Sequence, residues 1–212
     1  MQSYLKESAA SKVGDEARPL TRKVVVLYGL GGIGKSSIVL EYSFQYSKSY
    51  TAIFWVDVTS EISLARSVRG IAEYLVAFYA ARGVSYENIA STLGLRGLLN
   101  SSGQIASDEA AEYRVIEAFR DWLAADHNEQ WLLVLDNYDD VDTVDIDRIL
   151  PTCDNRTVII TSRKSNLHAL GKTVSVDEIN KQSGITLLLR SANKAEDGAE
   201  GKHQSKPFRI ID

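Results

Sequence analysis

Gly29-Leu-Gly-Gly-Ile-Gly-Lys-Ser36 fits the pattern G-x-x-x-x-G-K-[ST] and directly follows the apolar run Val24-Val-Val-Leu-Tyr28. A continuous apolar run, with no polar alternation, is what a strand covered on both faces requires. Beyond the loop, Ile38, Val39, Leu40 and Tyr42 carry a helix. Strand, glycine loop and helix in that order make a cradle for an anion. The glycines let successive N–H groups turn inward around phosphate oxygens, and the positive end of the helix adds to the field. Gly29, Gly31, Gly32, Ile33, Gly34, Lys35, Ser36 and Ser37 are therefore the candidate nucleotide-binding residues. Lys35 is suited to reach the β- and γ-phosphates, and the Ser36 hydroxyl to ligate Mg²⁺. A glycine-rich turn with an incidental lysine is the competing reading, but it leaves the strand before the loop and the helix after it unexplained.

Outward from the loop, short apolar runs alternate with longer amphipathic segments, which predicts an α/β fold with a parallel sheet. Ala52-Ile-Phe-Trp-Val-Asp-Val58, Trp131-Leu-Leu-Val-Leu135, Arg156-Thr-Val-Ile-Ile-Thr161 and Thr173–Val176 are the further strands. Thr59, Ser60 and Glu61 signal a helix whose stripe is Leu64, Val68, Ile71, Leu75 and Phe78, with Gly83 as its stop. A second stripe runs through Tyr113, Ile116, Phe119 and Leu123. Between them, residues 83–107 are rich in Gly, Ser and Asn and predict a connection with one short helix at 86–93. A short helical stretch ends at Pro151, and a last helix is expected over 180–190. The expected architecture is a three-layer P-loop NTPase fold with about five strands in the spatial order 2-3-4-1-5. Residues 1–20 read as a polar leader, 21–191 as the nucleotide-binding domain and 192–212 as a charged, mobile tail.

The 212 residues, 44% of them apolar, suffice for one proper core. A formal charge of −4 and a pI near 5.5 give no general attraction to nucleic-acid backbones or anionic membranes, so neither is an expected partner. Cys153 cannot close an internal disulfide by itself, and the polar start at Met1 has no signal-peptide layout, which points to the cytoplasm. His127, His168 and His203 lie in unrelated segments without metal-ligand spacing. Trp55, Trp122 and Trp131 are expected to pack in the core.

A phosphate cradle also needs an acid for the Mg²⁺ water shell, and the run Trp131–Leu135 ends in Asp136, at the edge of the sheet where ligands bind. Asp139, Asp140, Asp142, Asp145 and Asp147 suit turns and helix caps better, because none abuts the apolar run. Asn137 stands where many P-loop ATPases carry a second acid that polarises the attacking water. An amide cannot accept a proton at neutral pH, so slow hydrolysis is expected. If the strand ending at Thr161 lies between the first strand and the Asp136 strand, Thr161, Ser162 and Arg163 fall beside the γ-phosphate. Arg163 can then sense that phosphate; the alternative is a solvated arginine at a strand end.

Gly29–Ser36, Ile53-Phe-Trp-Val-Asp57, Leu132-Leu-Val-Leu-Asp-Asn137 and Thr157-Val-Ile-Ile-Thr-Ser-Arg163 together resemble the NB-ARC nucleotide-binding domain of NLR-type STAND ATPases, the second block being most similar to fungal members. The likeness spans about residues 20–191, with the four blocks in the family's order and spacing. It implies an ATP/ADP switch using Mg²⁺ in innate immunity or regulated cell death. Lys35, Asp136 and Arg163 would hold the catalytic and sensor roles, and Ser36 and Asp136 the metal. Self-association or contact with further domains of an NLR-like assembly is the implied partnership. The family's Gly-Arg-Glu element has no clear counterpart around Arg18 to Lys23, and its Gly-Leu-Pro-Leu motif and winged helix do not occur. These residues alone are accordingly expected to bind nucleotide weakly. Two other readings stay open: a small P-loop kinase acting on a metabolite, with Arg82, Arg96 or Arg114 as its basic lid, and a nucleotide-binding fragment that does not hydrolyse. A GTPase would need an Asn-Lys-x-Asp reader, which Thr161-Ser-Arg-Lys164 does not match.

Overall fold

The apolar runs become neighbouring strands of one sheet in the computed structural model, which describes residues 23–126, 128, 130–153, 157–177 and 209–210. In chain order the elements are β1 (Lys23–Tyr28), α1 (Lys35–Gln45), β2 (Ala52–Asp57), α2 (Glu61–Ala81), α3 (Tyr86–Thr92), α4 (Glu109–Ala124), β3 (Trp131–Asp136), β4 (Thr157–Ser162), β5 (Lys172–Ser175) and β6 (Arg209–Ile210). Single 3₁₀ turns occur at Ser47–Ser49 and Ile146–Arg148, the second of them the short helical stretch before Pro151. The expected leader at 1–20, the helix at 180–190 and most of the tail lie outside the described residues.

The sheet runs β5-β1-β4-β3-β2-β6. Read from the β2 side, the first five strands follow the expected order 2-3-4-1-5, and all their pairings are parallel. The sixth strand, which the sequence did not announce, pairs antiparallel with Ala52 and Ile53 at the β2 edge. Every residue of β3 and β4 is buried, as continuous apolar runs in a doubly covered sheet require.

Side chains alternate between the two faces. Val24 and Val26 join the larger core under α2, α3 and α4, while Val25 and Leu27 join a smaller one with Ile53, Leu132, Val134, Ile159 and Val39 of α1. Leu64, Val68, Ile71 and Leu75 of α2 are fully or almost fully buried, each contributing about 1.5–3 kcal/mol through removal from water. The α2 start lies where the sequence put it: the Ser60 side chain accepts from the Ser63 amide at 3.1 Å. Two stripe assignments need correcting. Phe78 is only half-buried. Its ring carries the Arg82 guanidinium, 3.4 Å above its centre. Tyr113 is 48% exposed, because α4 turns Ala111, Val115 and Ala118 inward instead. The Arg148 guanidinium lies 4.1 Å from the centre of its ring. The 83–107 connection is also better packed than its composition suggests, with Leu93, Leu95, Leu98 and Ile105 buried. Arg69 of α2 ties it down, donating to the Ile105 and Ala106 carbonyls and to Glu112.

Candidate functional site

Parallel strands bring their carboxyl ends to one edge, and this sets the site. In register, Tyr28 lies beside Ser162, Leu135 beside Ile160, and Asp57 beside Asp136. The glycine loop after β1 and the polar ends of β3 and β4 therefore meet at that edge.

The loop is tight at both ends. Gly29 donates to the Ser162 carbonyl at 3.2 Å, and a Cβ on it would lie 2.4 Å from the Val176 oxygen, so only glycine fits between β4 and the chain leaving β5. Gly34 caps α1 in a left-handed conformation, φ +99°, with no side-chain cap. As a result, among the described residues, the amides of Gly31, Gly32, Gly34, Lys35, Ser36 and Ser37 donate to no protein acceptor. Uncapped helix-start amides are a ready anion site. Ile33 differs from them: its amide is engaged with the Leu30 carbonyl at 3.4 Å. Neither Gly29 nor Ile33 lines the cavity described next, so both shape the loop without facing it.

That cavity measures about 370 Å³. The loop glycines Gly31, Gly32 and Gly34 wall it on one side with Lys35, Ser36 and Ser37, and Asn137, Asp139 and Arg163 wall it on the other. Lys35 is almost buried and donates to the carbonyls of Gly29 and Leu30, both at 2.9 Å. Those two bonds use two of the three ammonium protons. A larger open groove of about 540 Å³ lies in the 83–107 region, lined by Tyr86, Glu87 and Arg96 among others. It has no comparable set of converging amides, so the smaller cavity is the candidate site. Arg82, Arg96 and Arg114 do not line that cavity. Arg96 bonds the Ser91 hydroxyl and Arg114 the Arg96 carbonyl, so no basic lid forms from them there.

Asp136 is wholly buried and receives hydrogen bonds from three elements. Its Oδ1 accepts from Ser36 Oγ and Thr161 Oγ1, both at 2.7 Å, and its Oδ2 accepts from Trp55 Nε1 at 3.3 Å. Thr161 in turn accepts from the Asn137 amide at 2.9 Å. Ser36 and Asp136 are hard oxygen donors in contact, the set that Mg²⁺ uses together with waters and phosphate oxygens. Among the described residues no group of three or more His, Cys, Asp or Glu side chains could hold a metal. A divalent ion would therefore be held jointly by these two residues and the nucleotide it accompanies.

After β3 the chain turns sharply at Asn137, φ +66°, a left-handed conformation that asparagine and aspartate tolerate better than most residues. The turn sends Tyr138 N to the Thr161 carbonyl at 2.8 Å and buries the Tyr138 ring. Burial pushes the Tyr138 phenol above its ordinary pKa, with Asp147, Asp145 and Asp142 adding to the shift. Arg163, 63% exposed, forms an ion pair with Asp139 at 2.6 Å through Nε.

Trp55 and Asp139 were missed as site residues in the sequence. Trp55 packs against the smaller core as the sequence predicts, and its indole N–H also reaches the acid. Asp139 reads as a turn residue in the sequence, but it lines the cavity and bonds Arg163. The one available signal for Trp55 was that β2 ends beside β3, but a single chain does not reveal strand adjacency. His168 is exposed, in line with a surface role.

A glycine loop with open amides, a lysine at its base and an acid on a neighbouring strand define a P-loop nucleoside-triphosphate-binding protein. More specifically, the AAA ATPase domain family matches residues 12–160, and the chain belongs to that family. No curated protein matches the sequence. Among solved structures, Cdc6p from Pyrobaculum aerophilum is similar at 11% identity and a TM-score of 0.45, the match covering 82% of this chain. The chain spans 44% of that structure's length. At that score the likeness decides neither activity nor partner. No helix among the described residues is long and apolar enough to cross a membrane.

Proposed function

We propose that this AAA-family chain is an ATP/ADP-binding switch domain of the NB-ARC type, with slow Mg²⁺-dependent ATP hydrolysis, of the kind used in NLR-like immune or cell-death signalling. The observation that carries the nucleotide reading is the run of unpaired amides from Gly31 to Ser37, Ile33 excepted, facing Arg163 across one cavity. The amides and Lys35 hold the β-phosphate region. Ser36 and Asp136 would hold Mg²⁺, which when bound would supply positive charge to the phosphate oxygens. Arg163, directly after the strand that lies between β1 and β3, meets the γ-phosphate and so distinguishes ATP from ADP. Thr161 and Trp55 keep the Asp136 carboxylate in place.

The finer assignment to NB-ARC rests on the four sequence blocks, in their order and spacing. Asn137 supports a switch over a fast enzyme: it offers no proton acceptor for the attacking water, and its left-handed backbone gives it a conformational reason to be there. In this reading the bound nucleotide is a conformational signal, read by self-association or by further domains of a larger assembly.

Calorimetric titration with ADP, ATP and GTP, in the presence of Mg²⁺ and beside Lys35→Ala, tests the reading. Adenine nucleotides should bind, GTP much less, and Lys35→Ala should lose most of the affinity. Equal heats from parent and variant would remove the nucleotide site. Turnover that depends on a small acceptor would instead favour the kinase.

A further inference from the structure

We propose that Asp139 is a positioning residue for Arg163, holding the guanidinium ready for a γ-phosphate and so setting how strongly the site prefers triphosphate to diphosphate. This rests on the reading that Arg163 contacts the γ-phosphate.

Both oxygens of Asp139 are committed to Arg163. Oδ1 accepts from the Arg163 backbone amide and Oδ2 from its Nε, each at 2.6 Å, and Ser162 Oγ stands 3.4 Å from Oδ1. The Asp139 side chain is 22% exposed against 63% for Arg163, so the carboxylate is the better anchored partner. It owes that anchorage to the turn at Asn137: Asp139 N donates back to the Asn137 carbonyl at 2.9 Å, and Tyr138 N to the Thr161 carbonyl, which lays residues 137–139 along the end of β4.

A long, exposed arginine would otherwise lose rotamer entropy on reaching one geometry. Clamping the backbone amide and Nε with one carboxylate prepays much of that cost. Among the described residues the terminal nitrogens Nη1 and Nη2 have no partner, so two adjacent donors stay available for a bidentate phosphate contact. The carboxylate also places a negative charge in the cavity wall.

The test uses the full chain and measures dissociation constants, with Mg²⁺, for ADP and for the non-hydrolysable analogue adenylyl imidodiphosphate. Arg163→Ala should lower the triphosphate-to-diphosphate preference by about tenfold or more, the equivalent of one lost charge-assisted bond. Asp139→Ala should lower it roughly threefold to tenfold, and Asp139→Asn, which keeps one acceptor, should fall between that and the parent. The double variant should match Arg163→Ala alone, because Asp139 acts through Arg163. If Arg163→Ala leaves the preference unchanged, the sensor reading fails and this proposal with it. If Arg163→Ala moves the preference but Asp139→Ala does not, or weakens both nucleotides equally, the sensor stands and the positioning role is overturned. Should Asp139→Ala fail to fold, Asp139→Asn carries the same decision: a preference equal to the parent's with weakened binding of both nucleotides overturns the role.

Discussion

Thr161→Val keeps the shape of a wholly buried side chain and removes only its hydroxyl. That hydroxyl donates to Asp136 Oδ1 at 2.7 Å and accepts from the Asn137 amide at 2.9 Å. Valine deletes a bond to a carboxylate, about 1.5–3 kcal/mol, and strands a partly buried amide, about 1–3 kcal/mol. Ser36 and Trp55 still bond the carboxylate, so the lower half of each range applies. The expected loss is about 3 kcal/mol. With a urea slope of about 2 kcal/mol/M, the unfolding midpoint should fall by about 1.5 M, with the slope unchanged. Urea unfolding followed by circular dichroism reads this directly. A midpoint shift below about 0.5 M would mean that Thr161 does not hold Asp136, and the account of how the acid is positioned would be wrong.

Three further outcomes follow from the same geometry. Gly29→Ala must displace Val176, whose amide bonds the Tyr28 carbonyl at 2.8 Å and continues the β1–β5 pairing; a cost of about 2 kcal/mol, or a fall of about 4–8 °C in Tm by calorimetry, is expected. Asn137→Asp keeps a residue that tolerates the left-handed turn and adds a proton acceptor at the cavity wall. Single-turnover ATP hydrolysis should rise by about tenfold or more, and no increase would remove the explanation for slow turnover. Trp55 packs with the smaller core and touches Asp136, whereas Trp122 and Trp131 belong to the opposite face. Trp55→Phe should therefore abolish most of the intrinsic-fluorescence change on adding Mg²⁺–ATP, and an unchanged response would place the reporting tryptophan elsewhere.

The elements were legible because their signals are local. Val24–Leu27 and Trp131–Leu135 have no polar interruption, and Ser60 stands where a cap belongs, so strands and the α2 start could be read within a residue or so of their observed bounds. The strand order was legible only through the glycine loop, which selects a known class of fold. Helix faces were less secure. Tyr113 and Phe78 fit a three-or-four spacing as well as their buried neighbours do, but the inward direction of a helix is set by what it packs against. The 83–107 segment hid its packing for a related reason: the buried Leu93, Leu95, Leu98 and Ile105 are too irregularly spaced to show a period, and the Arg69 bonds that tie the Ile105 and Ala106 carbonyls to α2 join residues far apart in the chain.

In this protein the sequence by itself determined the phosphate-binding loop, the acid at the end of β3 and the alternation of strands and helices, since each depends on residues close together in the chain. Only the tertiary structure decided that Trp55 and Thr161 hold Asp136, and that Asp139 holds Arg163. Those contacts join residues 24 to 81 positions apart, and chain spacing carries no information on which strand ends meet until the parallel sheet has brought them to one edge.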